Sequence, residues 1–339
     1  MVRSHKNLGG VALLGSGSAV PSQSLTNDQL GLRVDTTDEW IRSRTGIASR
    51  RVIGGEESLT ELCSRAGLGA LDMARWDPDS IDLVLLATST PDDLFGSAPK
   101  VQARLGANNA VAFDLTAACS GFLFALVTAS QFLRTGSMRR VLVIGADQLT
   151  RWVDWDDRRS CVLFGDGAGA VALEATSSEN DCFIGFQMKS DGSRGDCLNL
   201  PHLTECFSLV NEISHQKGGF APIQMNGQEV YKFAVREVPE ILEKLLKAHG
   251  VLPASLDWLL LHQANQRILN AVADRFSIPN KKVLSNLAAY GNTSAATIPL
   301  MLDEAVKDGR IKSGDLIASS GFGAGLSWGA ALFRWLGPV

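Results

Sequence analysis

Apolar runs of strand length alternate with amphipathic segments along most of the chain. The runs share a nearly continuous apolar composition and lie at residues 82–88, 110–114, 140–147, 168–175, 258–262, 316–320 and 330–335. Strands that are buried on both faces have such runs, and their alternation with helices is typical of parallel sheets covered by helices. The pattern therefore predicts an α/β fold with mostly parallel strands.

One predicted helix is apolar on nearly every side. It begins at Cys119, runs to about residue 134 and includes Phe122, Leu126 and Leu133. A helix without a polar face belongs in the interior of a protein. Gly136 is expected to end it, because glycine readily adopts the left-handed conformation that follows many helices.

A faint internal repeat divides the chain. Residues 78–86 resemble residues 253–261, and the offset of 175 residues, from Ile81 to Leu256, places Ser294 opposite Cys119. The repeat predicts two similar α/β halves, 1–180 and 181–339, packed face to face. Ligand sites favour junctions of this kind.

Composition narrows the class of protein. The chain has 339 residues, of which 45% are apolar, and a net charge of −4, so it is large enough for a sizeable core and nothing suggests binding to nucleic acid or a membrane. Arg3 and Lys6 precede an apolar stretch at 8–20, but its four glycines favour a short strand over a signal peptide. Six scattered cysteines without a C-x-x-C pair indicate neither zinc nor disulfides and fit a reducing cytoplasm.

Three residues are candidates for chemistry. Cys119 lies where a predicted strand turns into the interior helix, and unpaired N–H groups and the helix dipole there favour a nucleophilic thiolate. His262 ends a predicted strand, where the ligand crevice of a parallel sheet lies. Asn292 follows Gly291 in a turn that opens a helix. Taken singly, a buried hydrophobic Cys, a core His and a helix N-cap Asn remain open alternatives.

The motifs around these residues identify a family. They occur in order along the whole chain, at 35–41, 44–47, 117–122, 164–169, 262–265, 291–296 and 321–325, the last followed by 328–329. In them the chain resembles the condensing enzymes of the thiolase superfamily, and most closely the β-ketoacyl-ACP synthase III family (ACP, acyl carrier protein). The resemblance implies a thiolase-like fold, in which two pseudo-repeated α/β halves form a layered αβαβα sandwich, and a cytoplasmic homodimer.

The resemblance also implies a reaction. A short acyl-CoA, by default acetyl-CoA, would acylate Cys119, and decarboxylative Claisen condensation with malonyl-ACP would give 3-ketoacyl-ACP, initiating type II fatty acid synthesis. His262 and Asn292 would stabilise the enolate as neutral hydrogen-bond donors. The backbone N–H groups of Cys119 and Ala324 would stabilise the oxyanion of acyl transfer, although the family usually has glycine at position 324. No cofactor or metal is expected.

Binding residues follow from the same resemblance. The expected CoA-binding residues are Thr36, Trp40, Arg44, Arg158 and Asn265, with Arg158 and Trp40 sandwiching the adenine, and Arg159 departs from the small residue usual there. The expected ACP-binding residues are Gln263, Ala264, Asn265, Gln266 and Arg267. They lie in a segment, 231–282, with eight Lys or Arg against five Asp or Glu, which would steer an acidic carrier. Phe95 is expected to cross the dimer interface and cap the acyl pocket.

Other functions stay open at this point. A condensing enzyme of secondary metabolism, of the type III polyketide or quinolone type, would use the same three residues, although the Gly-Phe-Gly-Ala-Gly sequence at 321–325 favours the ACP-dependent branch. A cysteine hydrolase with the chain order Cys, His, Asn is a second alternative. A non-catalytic acyl-CoA binder is a third, and it would be expected to lack part of the triad.

Overall fold

The computed structural model describes residues 8–337, so Arg3 and Lys6 of the signal-like pattern lie outside the described residues. Its strands are β1 (Leu8–Ala19), β2 (Gln23–Thr26), β3 (Ser49–Val52), β4 (Leu83–Ala87), β5 (Val111–Leu115), β6 (Arg140–Gln148), β7 (Asp166–Ser177), β8 (Phe183–Ser190), β9 (Leu198–Asn199), β10 (Cys206–Val210), β11 (Ile213–Gln216), β12 (Gln224–Met225), β13 (Trp258–Leu261), β14 (Val283–Leu284), β15 (Leu316–Gly323) and β16 (Ser327–Arg334). Its α-helices are α1 (Asn27–Gly31), α2 (Asp38–Thr45), α3 (Leu59–Ala74), α4 (Ala98–Leu105), α5 (Gly121–Arg134), α6 (Gly227–Ala248), α7 (Gln266–Arg275), α8 (Leu287–Tyr290) and α9 (Thr297–Lys307). Among the helices of this range, none has the length and apolar character needed to cross a membrane.

Two five-stranded sheets carry the same strand order. The first is β1-β7-β6-β4-β5 and the second is β8-β16-β15-β13-β14, so each sheet visits its strands in the same sequence along the chain. All seven predicted strands are present, and the apolar stretch at 8–20 forms β1. The first sheet is complete at Ser177 and the second begins at Phe183; the boundary between residues 180 and 181 stays a prediction.

Most strands are parallel, as predicted. In the first sheet β4 is parallel to β5 and β6, and β1 runs the same way because it is antiparallel to β7, which is itself antiparallel to β6. The second sheet repeats this arrangement, so four of the five strands in each sheet share one direction. The strand after each parallel core, β7 or β16, follows its neighbour without a crossover helix and therefore returns antiparallel.

Helices and sheets form five layers. Helices α5 and α9 lie between the two sheets, α3 and α4 cover the outer face of the first sheet, and α6 and α7 lie on the outer side of the second. Strand β4 shows why its sequence is continuously apolar: Leu83 and Leu85 face the central helices, whereas Val84 packs into the outer layer. Both faces of the sheet are thus buried.

The interior helix is present, with a different start. A 3-10 turn at Ala118–Ser120 precedes α5, and Ala118 has a φ of +47°, which no α-helix contains. Gly136 follows the helix with a φ of +72°, as predicted.

An equivalent turn in the second half, Ser294–Ala296, precedes the other central helix, α9, and begins with Ser294 at φ +53°. Ser294 therefore corresponds to Ala118, not to Cys119 as the sequence offset suggested. One extra residue between β13 and this turn accounts for the difference.

Candidate active site

The three candidate residues line one cavity between the sheets. Cys119 lies in the turn between β5 and α5, and His262 directly follows β13. Asn292 lies between α8 and the 3-10 turn at 294–296 that precedes α9. The cavity has a volume of about 310 Å³ and opens toward Trp40 and Arg158 at the surface. The structure therefore brings together residues that are as much as 173 positions apart, from Cys119 to Asn292.

Cys119 is held as a buried thiol. Its side chain is 7% exposed, and its Sγ accepts a hydrogen bond from the Ser294 hydroxyl at 3.2 Å. Burial raises the pKa of the thiol to about 12, and the hydrogen bond from Ser294 opposes this while the nearby Asp147 carboxylate adds to it. The expectation of a resting thiolate was wrong, because desolvation outweighs the favourable position at a helix N-terminus.

His262 is a neutral imidazole at neutral pH. It is 2% exposed, and burial lowers its pKa to about 3. Its Nδ1 lies 2.7 Å from the Thr297 hydroxyl, and the Phe322 ring packs edge-on at 5.4 Å. The ring orientation is thus fixed from two sides.

Asn292 is fixed through both its backbone and its side chain. Its N–H donates to the Leu163 carbonyl at 2.9 Å and its carbonyl accepts from the Gly165 N–H at 3.0 Å. Its Oδ1 accepts from the Ser294 N–H at 2.9 Å, which leaves the Nδ2 protons as the donors of this side chain. The N-cap alternative does not hold, since the residue before α9 is Ala296.

The glycine-rich end of β15 lies against the backbone of Cys119. A Cβ built on Gly323 would lie 2.6 Å from the Cys119 nitrogen, so only glycine allows this approach. The next residue, Ala324, lines a second cavity of about 430 Å³ together with Cys119 and Ser294. Ala324 does not have a positive φ, so alanine replaces the usual glycine without backbone strain.

Most of the expected CoA-binding residues lie at the mouth of the first cavity. Trp40, Arg44, Arg158 and Asn265 line it, whereas Thr36 does not. The Thr36 hydroxyl is buried and has no hydrogen-bond partner among the described residues. Thr36 therefore does not form part of this cavity wall.

The expected adenine slot is closed. The Arg158 guanidinium lies 5.3 Å from the centroid of the Trp40 ring, and that of Arg44 lies 4.9 Å from it. A ring between Trp40 and Arg158 would need about 7 Å, twice the carbon–carbon contact distance of ~3.5 Å. Arg158 is tied only to the exposed Asp35, so its side chain has to swing aside for a ring to enter. Arg159 also reaches the mouth, held by Asp157 at 2.9 Å.

One expected ACP contact was wrong. Gln263 is 0% exposed, and its amide donates to the carbonyls of Leu261 and Leu284, which ties β13 to β14. A residue with no exposed surface does not meet a protein partner, although the Oε1 of Gln263 has no hydrogen-bond partner among the described residues. Arg267, by contrast, is exposed in the first turn of α7.

The remaining residues of this segment are partly exposed. Ala264 lies in the wall of the first cavity, and Gln266 donates to Asn270 on α7. Asn265 caps α7 and also donates to the Arg44 carbonyl at 3.1 Å, so it links the start of α7 to the cavity mouth.

Phe95 is 96% exposed and lines a different cavity, of about 720 Å³. Ser89 and Thr116 are shared between this cavity and the 430 Å³ cavity beside Cys119. Within one chain Phe95 therefore does not cap the space at Cys119, and its predicted role across a dimer interface stays a prediction.

Three further residues surround the triad, and of these sequence reasoning had singled out only Ser294, through the internal repeat. Asp147 is fully buried and accepts from the Ala295 N–H, Ser294 touches Cys119 and Asn292, and Thr297 touches His262. Ser294 lies inside the motif at 291–296 and Thr297 directly follows it, and that position is the only signal for Thr297. Their contacts depend on chain segments that are distant in sequence.

Comparisons with known proteins agree with this geometry. Profiles of two families match: 3-oxoacyl-[acyl-carrier-protein (ACP)] synthase III over residues 113–192, and its C-terminal region over residues 246–335. A β-ketoacyl-[acyl-carrier-protein] synthase III from Prochlorococcus marinus (strain MIT 9313) is 77% identical over 330 residues, which is 97% of each chain.

Solved structures give the same result. The crystal structure of 3-oxoacyl-[acyl-carrier-protein] synthase III from Aquifex aeolicus VF5 is 42% identical, with a TM-score of 0.88 over 96% of this chain and 100% of that one. The priming β-ketosynthase of the R1128 polyketide pathway is 32% identical, with a TM-score of 0.89 over 100% of both chains.

These relatives confirm the predicted thiolase-like layered fold and the class of condensing acyltransferase. The secondary-metabolism alternative has less support, because the polyketide-pathway relative is much less similar than the Prochlorococcus protein. The chain belongs to the β-ketoacyl-ACP synthase III family.

Proposed function

We propose that this protein catalyses the decarboxylative Claisen condensation of a short acyl-CoA with malonyl-ACP, the reaction that initiates type II fatty acid synthesis. The observation that carries the proposal is the meeting of Cys119, His262 and Asn292 in one cavity that opens beside Trp40 and Arg158. A nucleophile and two neutral hydrogen-bond donors are what the two half-reactions need.

In the first half-reaction the acyl group passes to Cys119. The bond from Sγ to the thioester carbonyl forms, the bond to the CoA sulfur breaks, and the thiol proton ends on CoA. Because the resting thiol has a pKa of about 12, deprotonation accompanies attack and does not precede it. The N–H groups of Cys119 and Ala324 would donate to the oxyanion: both residues line the 430 Å³ cavity, and Gly323 keeps the space in front of the Cys119 nitrogen clear.

In the second half-reaction malonyl-ACP loses CO₂ and the resulting enolate carbon attacks the acyl group on Cys119. The enolate oxygen accepts from Asn292 Nδ2 and from Nε2 of His262. A neutral imidazole suits this role, since an imidazolium would protonate the enolate. The Thr297 hydroxyl has a single proton, which it donates to the Ser294 carbonyl at 3.0 Å. Donation from Nε2 therefore requires this hydroxyl to turn and donate to Nδ1 instead, its neighbour at 2.7 Å. Loss of CO₂ generates the carbanion, so the reaction needs no metal or cofactor.

The partners follow from the surface around the cavity mouth. Arg267 is exposed at the start of α7, next to Asn265 at the cavity wall, where an acidic carrier would present its pantetheine arm. The free edge of β5 supports a homodimer, because Val111 and Phe113 on it and the nearby Leu94 and Phe95 are exposed apolar side chains. A cytoplasmic location is supported by the cysteines of residues 8–337, all of which are unpaired.

Intact-protein mass spectrometry tests the proposal. Wild-type protein incubated with acyl-CoAs of increasing chain length should gain the mass of one acyl group, and malonyl-ACP should then remove it. Cys119→Ala should gain nothing, while the control Cys63→Ala, which removes a buried thiol in the outer layer, should load normally. An adduct on Cys119→Ala, or discharge by water without a condensation product, would contradict the proposal.

A further inference from the structure

Ser294 is linked to all three active-site residues, each through a different one of its own atoms. It contacts Asn292 and Cys119 directly and His262 through Thr297. Its N–H donates to Asn292 Oδ1 at 2.9 Å, and its hydroxyl donates to Cys119 Sγ at 3.2 Å. Its carbonyl lies 3.0 Å from the Thr297 hydroxyl, which in turn lies 2.7 Å from His262 Nδ1. One residue thereby joins the nucleophile of the first half of the chain to the two donors of the second.

The backbone of Ser294 has a conformation that favours glycine, yet the residue is serine. Ser294 is 1% exposed and has a φ of +53°, the left-handed region that glycine adopts most easily. Glycine would supply the same N–H and carbonyl there at lower conformational cost. What serine adds is the hydroxyl, which donates to Cys119 Sγ at 3.2 Å and has the Asp147 carboxylate as a second acceptor nearby.

We infer that Ser294 is a positioning residue for the condensation, whose hydroxyl orients Cys119 and favours its ionised form during attack. The inference rests on the proposed function, in which Cys119 is the nucleophile. A hydrogen bond from a neutral hydroxyl to sulfur is stronger when the sulfur is anionic, so it stabilises the thiolate that develops as the thioester is attacked.

Few other charges act on this sulfur. The buried carboxylate of Asp147, on β6, raises the pKa of the thiol, and His262 is neutral. The elements packed against the Cys119 turn are α5, β15, β16 and the turn at Ser294–Ala296. Their only charged residues are Arg134 and Arg334, at the far ends of α5 and β16. The Ser294 hydroxyl and the backbone N–H of Cys119 are therefore the local groups that lower the pKa of the thiol, and the hydroxyl has the larger effect of the two.

Two variants of Ser294 test the inference together. Ser294→Ala and Ser294→Gly both remove the hydroxyl, and Ser294→Gly also relieves the backbone preference, so it remains informative if Ser294→Ala folds poorly. The rate at which iodoacetamide alkylates Cys119, followed on the Cys119 peptide by mass spectrometry, should fall about tenfold at pH ~8 in both, the effect of one hydrogen bond to a charged atom. The whole pH profile should move to higher pH. Ser130→Ala, which removes a buried hydroxyl on α5, should leave the profile unchanged.

Thr297→Val provides the converse measurement. It removes the hydroxyl beside His262 and leaves the Ser294 hydroxyl in place, so decarboxylation of malonyl-ACP should slow about tenfold while alkylation of Cys119 is unchanged. Ser294→Ala should show the opposite selectivity, because it keeps the N–H that holds Asn292.

The outcomes separate the inference from the function on which it rests. An unchanged alkylation profile in both Ser294 variants overturns the inference, as does a change in Ser294→Ala alone, which would indicate backbone strain. If alkylation falls as expected in both variants but no acyl-CoA acylates the wild-type protein, the positioning role stands and the proposed function fails.

Discussion

The two turns that begin the central helices are built alike but make different contacts with the strand beneath them. One carries Cys119, and the other carries Ser294, whose hydroxyl donates to Cys119 Sγ. In the first half the turn is Ala118–Ser120, and in the second it is Ser294–Ala296, each with a left-handed first residue. Each turn rests on the central sheet strand of the opposite half, β15 for the first turn and β6 for the second.

The difference lies at equivalent positions of those two strands. Asp147 on β6 accepts the N–H of Ala295, the middle residue of the second turn, at 3.2 Å. On β15 the equivalent position is Gly323, which has no side chain to occupy the N–H of Cys119. The two halves thus repeat the same arrangement of turn and strand, but only in the first half does the strand leave the backbone N–H of the turn free to donate to an oxyanion.

The largest effect is expected from filling the space in front of Cys119. Gly323→Ala would place a Cβ 2.6 Å from the Cys119 nitrogen and displace or block that donor. Loss of one oxyanion donor costs about a hundredfold in rate, so acylation by acyl-CoA should slow by roughly that factor. Rapid-quench measurement of acyl-enzyme formation checks this. The control Gly192→Ala, whose Cβ meets no atom within 4 Å, should acylate at the wild-type rate.

Removing the carboxylate that holds the second turn should lower the stability of the protein. Asp147→Asn replaces one carboxylate oxygen by an NH₂ group. In one orientation of the amide this group faces the Ala295 N–H, and in the other it faces the Thr88 and Thr90 hydroxyls, so an acceptor is lost in either case. An unsatisfied buried donor costs about 1–3 kcal/mol, and the free energy of unfolding in urea should fall by that amount. Unchanged stability would mean that the carboxylate does not hold this turn.

A smaller effect is expected outside the turns, at the surface where the carrier arrives. Arg267→Glu should raise the KM for malonyl-ACP about fivefold and leave acylation by acyl-CoA unchanged, because it reverses one steering charge at the cavity mouth. Arg275→Glu, at the other end of α7, is the matched control. If the two variants raised the KM for malonyl-ACP equally, Arg267 would not be part of the docking surface. The same would follow if added salt did not change this KM.

The smallest effect concerns the pH dependence of the decarboxylation step. His262 stays neutral in the folded protein because burial holds its pKa at about 3, so decarboxylation of malonyl-ACP should be nearly constant from pH ~8 to ~6. The unfolded chain binds a proton near pH 6.5, so this group's contribution to stability is full above that pH and is lost as the pH falls toward 3. His262→Gln should therefore lose less stability between pH ~7.5 and ~5, as measured by urea unfolding.

The sequence predicted the parts of the molecule that depend on local pattern. Apolar runs located β4 through β7, and the motifs brought Cys119, His262 and Asn292 to one cavity. The pattern could not predict the parts that depend on distant contacts. Gln263 is adjacent to His262 in sequence, yet it is fully buried and its amide NH₂ donates to two carbonyls, one of them from Leu284.

The same limit applies to ionisation and to the closed adenine slot. A helix N-terminus is visible in the sequence and favours a thiolate, but the burial that raises the Cys119 pKa is a property of the assembled halves. Likewise the motifs place Trp40 and Arg158 together, whereas the stacking of the guanidinium on the ring follows from side-chain conformation.

The central claim is that Cys119 takes up the acyl group, whereas His262 and Asn292 generate the enolate. Asn292→Ala tests it most directly, because it removes the Nδ2 donor from the second half and leaves Cys119 in place. Loaded with acyl-CoA and then mixed with malonyl-ACP, this variant should form the acyl-enzyme at nearly the wild-type rate and then retain it, with CO₂ release reduced at least a hundredfold. Loss of acylation with normal CO₂ release would contradict this assignment of Cys119 to acyl transfer and of Asn292 to decarboxylation.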